Sequence, residues 1–65
     1  MSYLYKANGH DFLCDYFSHN DGYSWSFEVY FKNKLIGTAH DYKTVELAVS
    51  AAKTFCHHYY ADKYG

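Results

Sequence analysis

Sixty-five residues bound a single domain, and a chain this short buries only about 60% of its unfolded surface, so its core must be dense or stapled. One Trp, nine Tyr and five Phe, with no Pro and four Gly, exclude a disordered or low-complexity chain; at about 150–250 Å² each, a handful of aromatics can close a small core. A formal net charge of −1 excludes both the basic footprint of a nucleic-acid binder and an obvious polyanion mimic.

The first predicted element is a hairpin. "KANGHD" contains Asn8-Gly9, and both residues accept the positive φ of a type I′ turn. A two-residue loop pairs Ala7 with His10, Lys6 with Asp11, Tyr5 with Phe12, Leu4 with Leu13 and Tyr3 with Cys14. Opposite charges and paired aromatics then face each other, each pair worth roughly 0.2–1 kcal/mol. "HNDGYS" contains Asp21-Gly22, a second signal of the same kind. Its register pairs Ser18 with Trp25, Tyr16 with Phe27, Cys14 with Val29 and Phe12 with Phe31. Both hairpins independently place Phe12, Cys14 and Tyr16 on one face, an agreement that a one-residue slip in either turn would destroy.

The third strand, "SWSFEVYFKN", alternates strictly. Trp25, Phe27, Val29 and Phe31 form an apolar face, with mostly polar residues between them, the pattern of a half-buried strand. "FKNKLIG" predicts either a turn at Asn33-Lys34, with Phe31 opposite Ile36 and Val29 opposite Thr38, or a longer loop. The predicted strands are therefore residues 2–7, 10–18, 23–32 and 35–40.

The period then changes. Val45, Ala48, Val49, Ala52, Phe55, Cys56 and Tyr59 step by three and four, a helical stripe, while Glu46, Ser50, Lys53, Thr54 and His57 fall on the other side. Thr44 is suited to the N-cap and Glu46 to the positive end of the helix dipole. Ala48 and Ala52 let the helix lie close on the aromatic face. The predicted fold is α+β: a four-stranded antiparallel meander (three-stranded if the first strand does not pair) with one C-terminal helix packed on one face. Residues 1–65 form one compact domain.

The candidate chemistry is sparse. Cys56, His57 and His58 are consecutive on the helix and do not converge on one point, whereas zinc wants paired short spacings or ligands at i and i+4. Cys14 can approach Cys56 between the sheet and the helix, where the two thiols would act as packing groups. Two cysteines are fewer than a secreted disulfide scaffold carries. The opening "MSYLYKANGH" lacks the cationic start and apolar run of a signal peptide, and no stretch is long and apolar enough to span a bilayer. The expectation is a cytoplasmic protein with reduced thiols, no membrane association, no metal and no cofactor. His10-Asp11, His19 with Asp21, and His40-Asp41 fall at turns and element ends, where His and Asp serve as turn formers and caps. With no phosphate loop or nucleophile motif, the chain is not expected to be an enzyme.

A three-strand sheet followed by a helix resembles, in arrangement only, double-stranded RNA-binding domains and the small DNA-binding domains of some integrases. "WSFEVYFKNKLIGTAHDYKTVELAVSAAKTF" departs from the former by placing only Lys43 and Lys53 where that family clusters lysines. The phosphate contacts that dominate nucleic-acid affinity are then missing. Sheet aromatics could stack on single-stranded bases, so a nucleic-acid-binding regulator is the alternative function. A small metal- or redox-linked domain using Cys14, Cys56 and His57 is the third.

The face away from the helix carries the remaining signal. Leu4, Leu13, Phe17 and Tyr30 fall there, with Asp15 opposite Glu28. That apolar centre with an acidic fringe fits a protein-binding face, against the bland alternative of scattered exposed apolar residues. The expected function is a non-enzymatic interaction module that sterically occludes a host protein or complex. In size and type it resembles phage and mobile-element inhibitors, anti-CRISPR proteins and phage inhibitors of host RNA polymerase among them. A homodimer through the same face or an edge is compatible.

Overall fold

The computed structural model describes the backbone of residues 1–64 and the side chains of residues 1–59. Four strands, β1 (Ser2–Ala7), β2 (His10–His19), β3 (Ser24–Phe31) and β4 (Lys34–Tyr42), precede one helix, α1 (Val45–Tyr64). The strands form one antiparallel sheet in the order β1-β2-β3-β4, and α1 packs across one face of it, touching all four strands. This is the α+β meander that the turn signals and the change of period predict.

Each connection follows from its turn residues. Asn8 (φ 54) and Gly9 (φ 79) both adopt the left-handed region, and β1 pairs with β2 in the register that this turn sets, from Ala7↔His10 to Ser2↔Asp15. The second connection is likewise the expected two-residue turn: Asp21 (φ 56, ψ 33) and Gly22 (φ 92) both adopt the left-handed region of a type I′ turn, closed by the Tyr23 N–H donating to the Asn20 carbonyl at 3.1 Å. The register is unchanged, with His19↔Ser24, Ser18↔Trp25 and Tyr16↔Phe27, because Asn20 and Tyr23 leave the ladder symmetrically.

The third connection corrects the sequence expectation. The turn is at Lys32-Asn33, both at positive φ (51 and 64), and it pairs Phe31 with Lys34 and Tyr30 with Leu35. A register shift between Val29 and Tyr30 then pairs Val29 with Gly37 rather than Thr38. An extra residue in one strand disrupts the ladder locally and re-aims the side chains beyond it.

The helix starts where its cap predicts: the Leu47 N–H donates to Thr44 Oγ1 at 3.2 Å. Ala48, Ala52 and Cys56 are completely buried, against Phe12, Cys14, Tyr16, Phe27, Val29 and Ala7 of the sheet. Trp25, Phe31 and Phe55, expected in the core, are only partly buried and pack at its margin. A helix is about 10–12 Å wide, whereas an eight-residue strand runs roughly 26 Å, so the ends of β3 extend past the cover. At one margin Phe31 packs 5.1 Å from Phe12 and 6.2 Å from Tyr59, centroid to centroid.

Candidate functional site

The side of the sheet that α1 leaves uncovered is built by register. Leu4 pairs with Leu13, Leu13 with Tyr30, and Tyr30 with Leu35. Directly paired residues project on the same side, so these four form an apolar row across all four strands. Leu4 is 77% exposed, Leu35 47% and Leu13 38%, with Tyr30 half-buried among them. Phe17, 39% exposed, lies on the same face of β2, four residues along from Leu13. Leu4, Leu13 and Tyr30 floor an open depression of about 440 Å³, rimmed by Asp11, Lys32 and Asn33.

The next row is polar: Ser2 pairs with Asp15, Asp15 with Glu28, and Glu28 with Thr38. Two carboxylates placed directly opposite each other repel, and each is answered by a neighbour. Ser2 Oγ donates to Asp15 Oδ1 at 2.8 Å, and the Met1 ammonium stands 3.7 Å from the same oxygen. Tyr30 Oη donates to Glu28 Oε1 at 2.8 Å. That bond, together with partial burial and the charges of Glu28 and Asp15, holds the Tyr30 hydroxyl above the usual tyrosine range. The face is therefore an apolar strip bordered by a compensated acidic strip.

The structure brings Leu4, Leu13 and Tyr30 together and places Asp15 and Glu28 opposite each other, as the sequence predicts; Phe17 stands apart from the strip. Sequence reasoning missed Leu35. The assumed turn at Asn33-Lys34 moved β4 out of register and Leu35 away from Tyr30. A reading of Lys32-Asn33 as the two-residue turn, with Asn in the left-handed position that it tolerates, would have found it.

The other chemistry-bearing residues are dispersed. His40 Nδ1 lies 3.0 Å from Asp41 Oδ2 on an exposed corner. His19 Nε2 lies 2.9 Å from Ser26 Oγ, and His10 meets Phe31 edge-on at 5.8 Å. His57, expected on the side of α1 opposite the apolar stripe, reaches the edge strand: its Nε2 is 2.7 Å from Tyr5 Oη, and its carbonyl accepts from Asn8 Nδ2 at 3.0 Å. Among the described residues, no three His, Cys, Asp or Glu side chains gather where they could hold a metal ion, and no helix is long and apolar enough to cross a membrane.

Cys14 and Cys56 are the exception to this dispersal. Both are completely buried and not joined by a disulfide, with their sulfurs in hydrogen-bond contact at 3.8 Å. The Cys56 thiol beside it lowers the Cys14 pKa to about 7 despite burial, and Tyr16 and Lys53 act in the same direction. The converse holds for Cys56, whose thiol is pushed well up by the same hydrogen bond, by burial and by the charge that Cys14 acquires.

No family model matches this chain, and neither a curated protein nor a solved structure matches it. The functional reading rests on the surface just described.

Proposed function

We propose that this chain is a non-enzymatic protein-binding module that works by occupying a partner's surface with its outer sheet face. The observation that carries the reading is the in-register row Leu4–Leu13–Tyr30–Leu35, left open because α1 covers the opposite face. Interfaces combine an apolar, aromatic-bearing centre with a polar rim. Here the centre is that row, with Phe17 an outlying aromatic of the same face, and the rim is Asp15, Glu28, Asp11 and one cation, Lys32. The partner is a protein, because the acidic strip repels phosphate backbones and favours a surface with basic residues around an apolar patch. Occupation of that patch would block whatever else binds there. This is the steric mode of the small inhibitors that phages and mobile elements direct at host proteins, anti-CRISPR proteins included; the likeness is one of size and aromatic content.

The test is capture of a partner from bacterial lysate by the wild-type protein, with Leu13→Arg and Glu46→Arg proteins alongside. Recovery of one protein by the wild type and Glu46→Arg, and its loss with folded Leu13→Arg, supports the reading. Retention by Leu13→Arg with loss in Glu46→Arg would move the site to the exposed side of α1 and overturn it.

A further inference from the structure

We propose that Cys14 and Cys56 are an oxidation site: a buried dithiol that a hydroperoxide converts into a disulfide joining β2 to α1. The geometry is in place before any reaction. The two sulfurs are 3.8 Å apart, so closure to a bond of about 2.05 Å asks for an approach of about 1.8 Å. The surroundings permit it. On the helix, Cys56 is preceded at one-turn intervals by Ala52 and Ala48, all three completely buried; no bulky side chain on this line holds α1 off the sheet. On the sheet, Cys14 lies in the second of the four strands and pairs with Val29. Neither sulfur is in a disulfide, and no metal-holding group forms among the described residues.

The pair is also polarised in the sense that the reaction needs. The attacking sulfur must be a thiolate, and Cys14 is the member favoured to ionise, through the thiol of Cys56, Tyr16 and Lys53. Tyr16 and Lys53 line an open groove of about 500 Å³ between β1 and α1, together with Tyr3, Tyr5, Val45 and Val49. Neither sulfur lines the groove and both are completely buried, so the reaction requires a transient opening of α1 to admit a molecule as small as hydrogen peroxide.

The steps balance. The Cys14 thiolate attacks one peroxide oxygen and the O–O bond breaks. A sulfenic acid forms on Cys14, and the departing hydroxide takes a proton to leave as water. Cys56 sulfur then attacks the Cys14 sulfur, and the S–S bond forms as the S–O bond breaks. The Cys56 proton leaves with that hydroxide as a second water. Two thiols are oxidised by two electrons, and one peroxide is reduced to two waters. The bond would close a loop of about 40 residues, for which chain-entropy arguments give a gain of up to about a thousandfold in the folding equilibrium.

The experiment treats the reduced full-length protein with hydrogen peroxide, quenches it, and reads three quantities. Intact mass should fall by two hydrogens. Thiols alkylated after denaturation should drop from two to none, with peptide mapping linking Cys14 to Cys56. The urea midpoint should rise and return to its starting value after dithiothreitol. In Cys56→Ala the reaction should stop at the sulfenic acid, form it more slowly because the hydrogen bond that favours the Cys14 thiolate is gone, and be trapped by dimedone on Cys14. The wild-type readings stand alone should that variant fail to fold. Retention of both thiols, addition of oxygen without loss of hydrogen, or disulfides only between chains would each overturn the proposal.

Discussion

The tip of the Phe55 ring rests on the backbone of Gly37, so closely that a Cβ on Gly37 would fall about 2.8 Å from both Cε atoms of the ring. This contact seats the middle of α1 against β4. Added volume here has nowhere to go without shifting the helix, and overpacking of this kind costs about 1–3 kcal/mol. Gly37→Ala should lower the urea midpoint accordingly. Gly37→Ala combined with Phe55→Ala should cost less than the sum of the two single changes, because the pair is coupled. Additive losses would show that Gly37 has another role.

Phe12 is completely buried between the two hairpins and the helix. Truncation of such a residue costs about 3–5 kcal/mol. A chain of this size has roughly 3–10 kcal/mol of total stability. Phe12→Ala is therefore expected to be largely unfolded, or to melt far below the wild type in circular dichroism. A near-normal melt would contradict the packing described.

Leu4 is the most exposed member of the apolar row, and Phe17 the outlying aromatic of the same face. Surface truncations commonly change stability by no more than about 0.5 kcal/mol, whereas an interface anchor costs about 2 kcal/mol or more of binding. Leu4→Ala and Phe17→Ala should melt like the wild type and bind the captured partner well over tenfold more weakly. Titration of each folded variant is the measurement. Wild-type affinity in both would remove this face from the interface.

Asp15 borders the row and is balanced by Ser2 and the Met1 ammonium. A rim charge acts mainly on the rate of encounter. Asp15→Lys should slow association and reverse or flatten its salt dependence, with a smaller effect on dissociation, in a surface-binding experiment across salt concentrations. An unchanged on-rate would show that the acidic strip plays no part in steering.

Cys14 and Cys56 predict an unusual pH profile. The Cys14 pKa is lowered to about 7 from 9.0. The stability it contributes is present above the unfolded value and is lost as pH falls from about 9 through about 7. Cys56 and Tyr16 are raised: Cys56 first by its bond to Cys14, Tyr16 first by burial. Their contributions are present below the unfolded values and are lost as pH rises above about 9–10. Denaturant midpoints of the reduced protein should therefore rise from pH 7 to about 9 and fall above about 10. Cys14→Ala should remove the rise. A flat profile between pH 7 and 9 would show that Cys14 does not ionise selectively.

How much was legible in the sequence depended on what carried each piece of information. The first two registers were encoded twice, by Asn8-Gly9 and Asp21-Gly22 and by the apolar alternation of β2, and both appear as written. In both turns the two central residues stand at positive φ, as their Asn-Gly and Asp-Gly pairs require. In the β3–β4 register Leu35 was lost to the choice of Asn33-Lys34 over Lys32-Asn33 as the turn, and the pairs beyond Tyr30 depended on a bulge, which leaves no mark on a period-two pattern. The meeting of Phe55 with Gly37 was invisible because glycine has no side chain to join a pattern. Tyr5 and His57 read as belonging to different faces, yet the helix runs close enough to β1 for the two to bond. Leu4, Leu13 and Tyr30 were recoverable because their rows depended only on the two secure hairpins.

The order of strands in space is the order in which the chain is made. Each strand leaving the ribosome finds its neighbour already synthesised, and the closures involved are short, which favours rapid folding. The exception is the cover. Phe12, Phe27 and Val29 pack under Ala48, Ala52 and Cys56, which emerge only after the whole sheet. Until then the nascent sheet carries apolar residues on both faces, the condition in which partly made chains adhere to one another or to chaperones. Completion of α1 ends that exposure on one side and leaves the Leu4–Leu13–Tyr30–Leu35 side as it was. The finished molecule thus keeps exposed one of the two apolar surfaces with which its synthesis began.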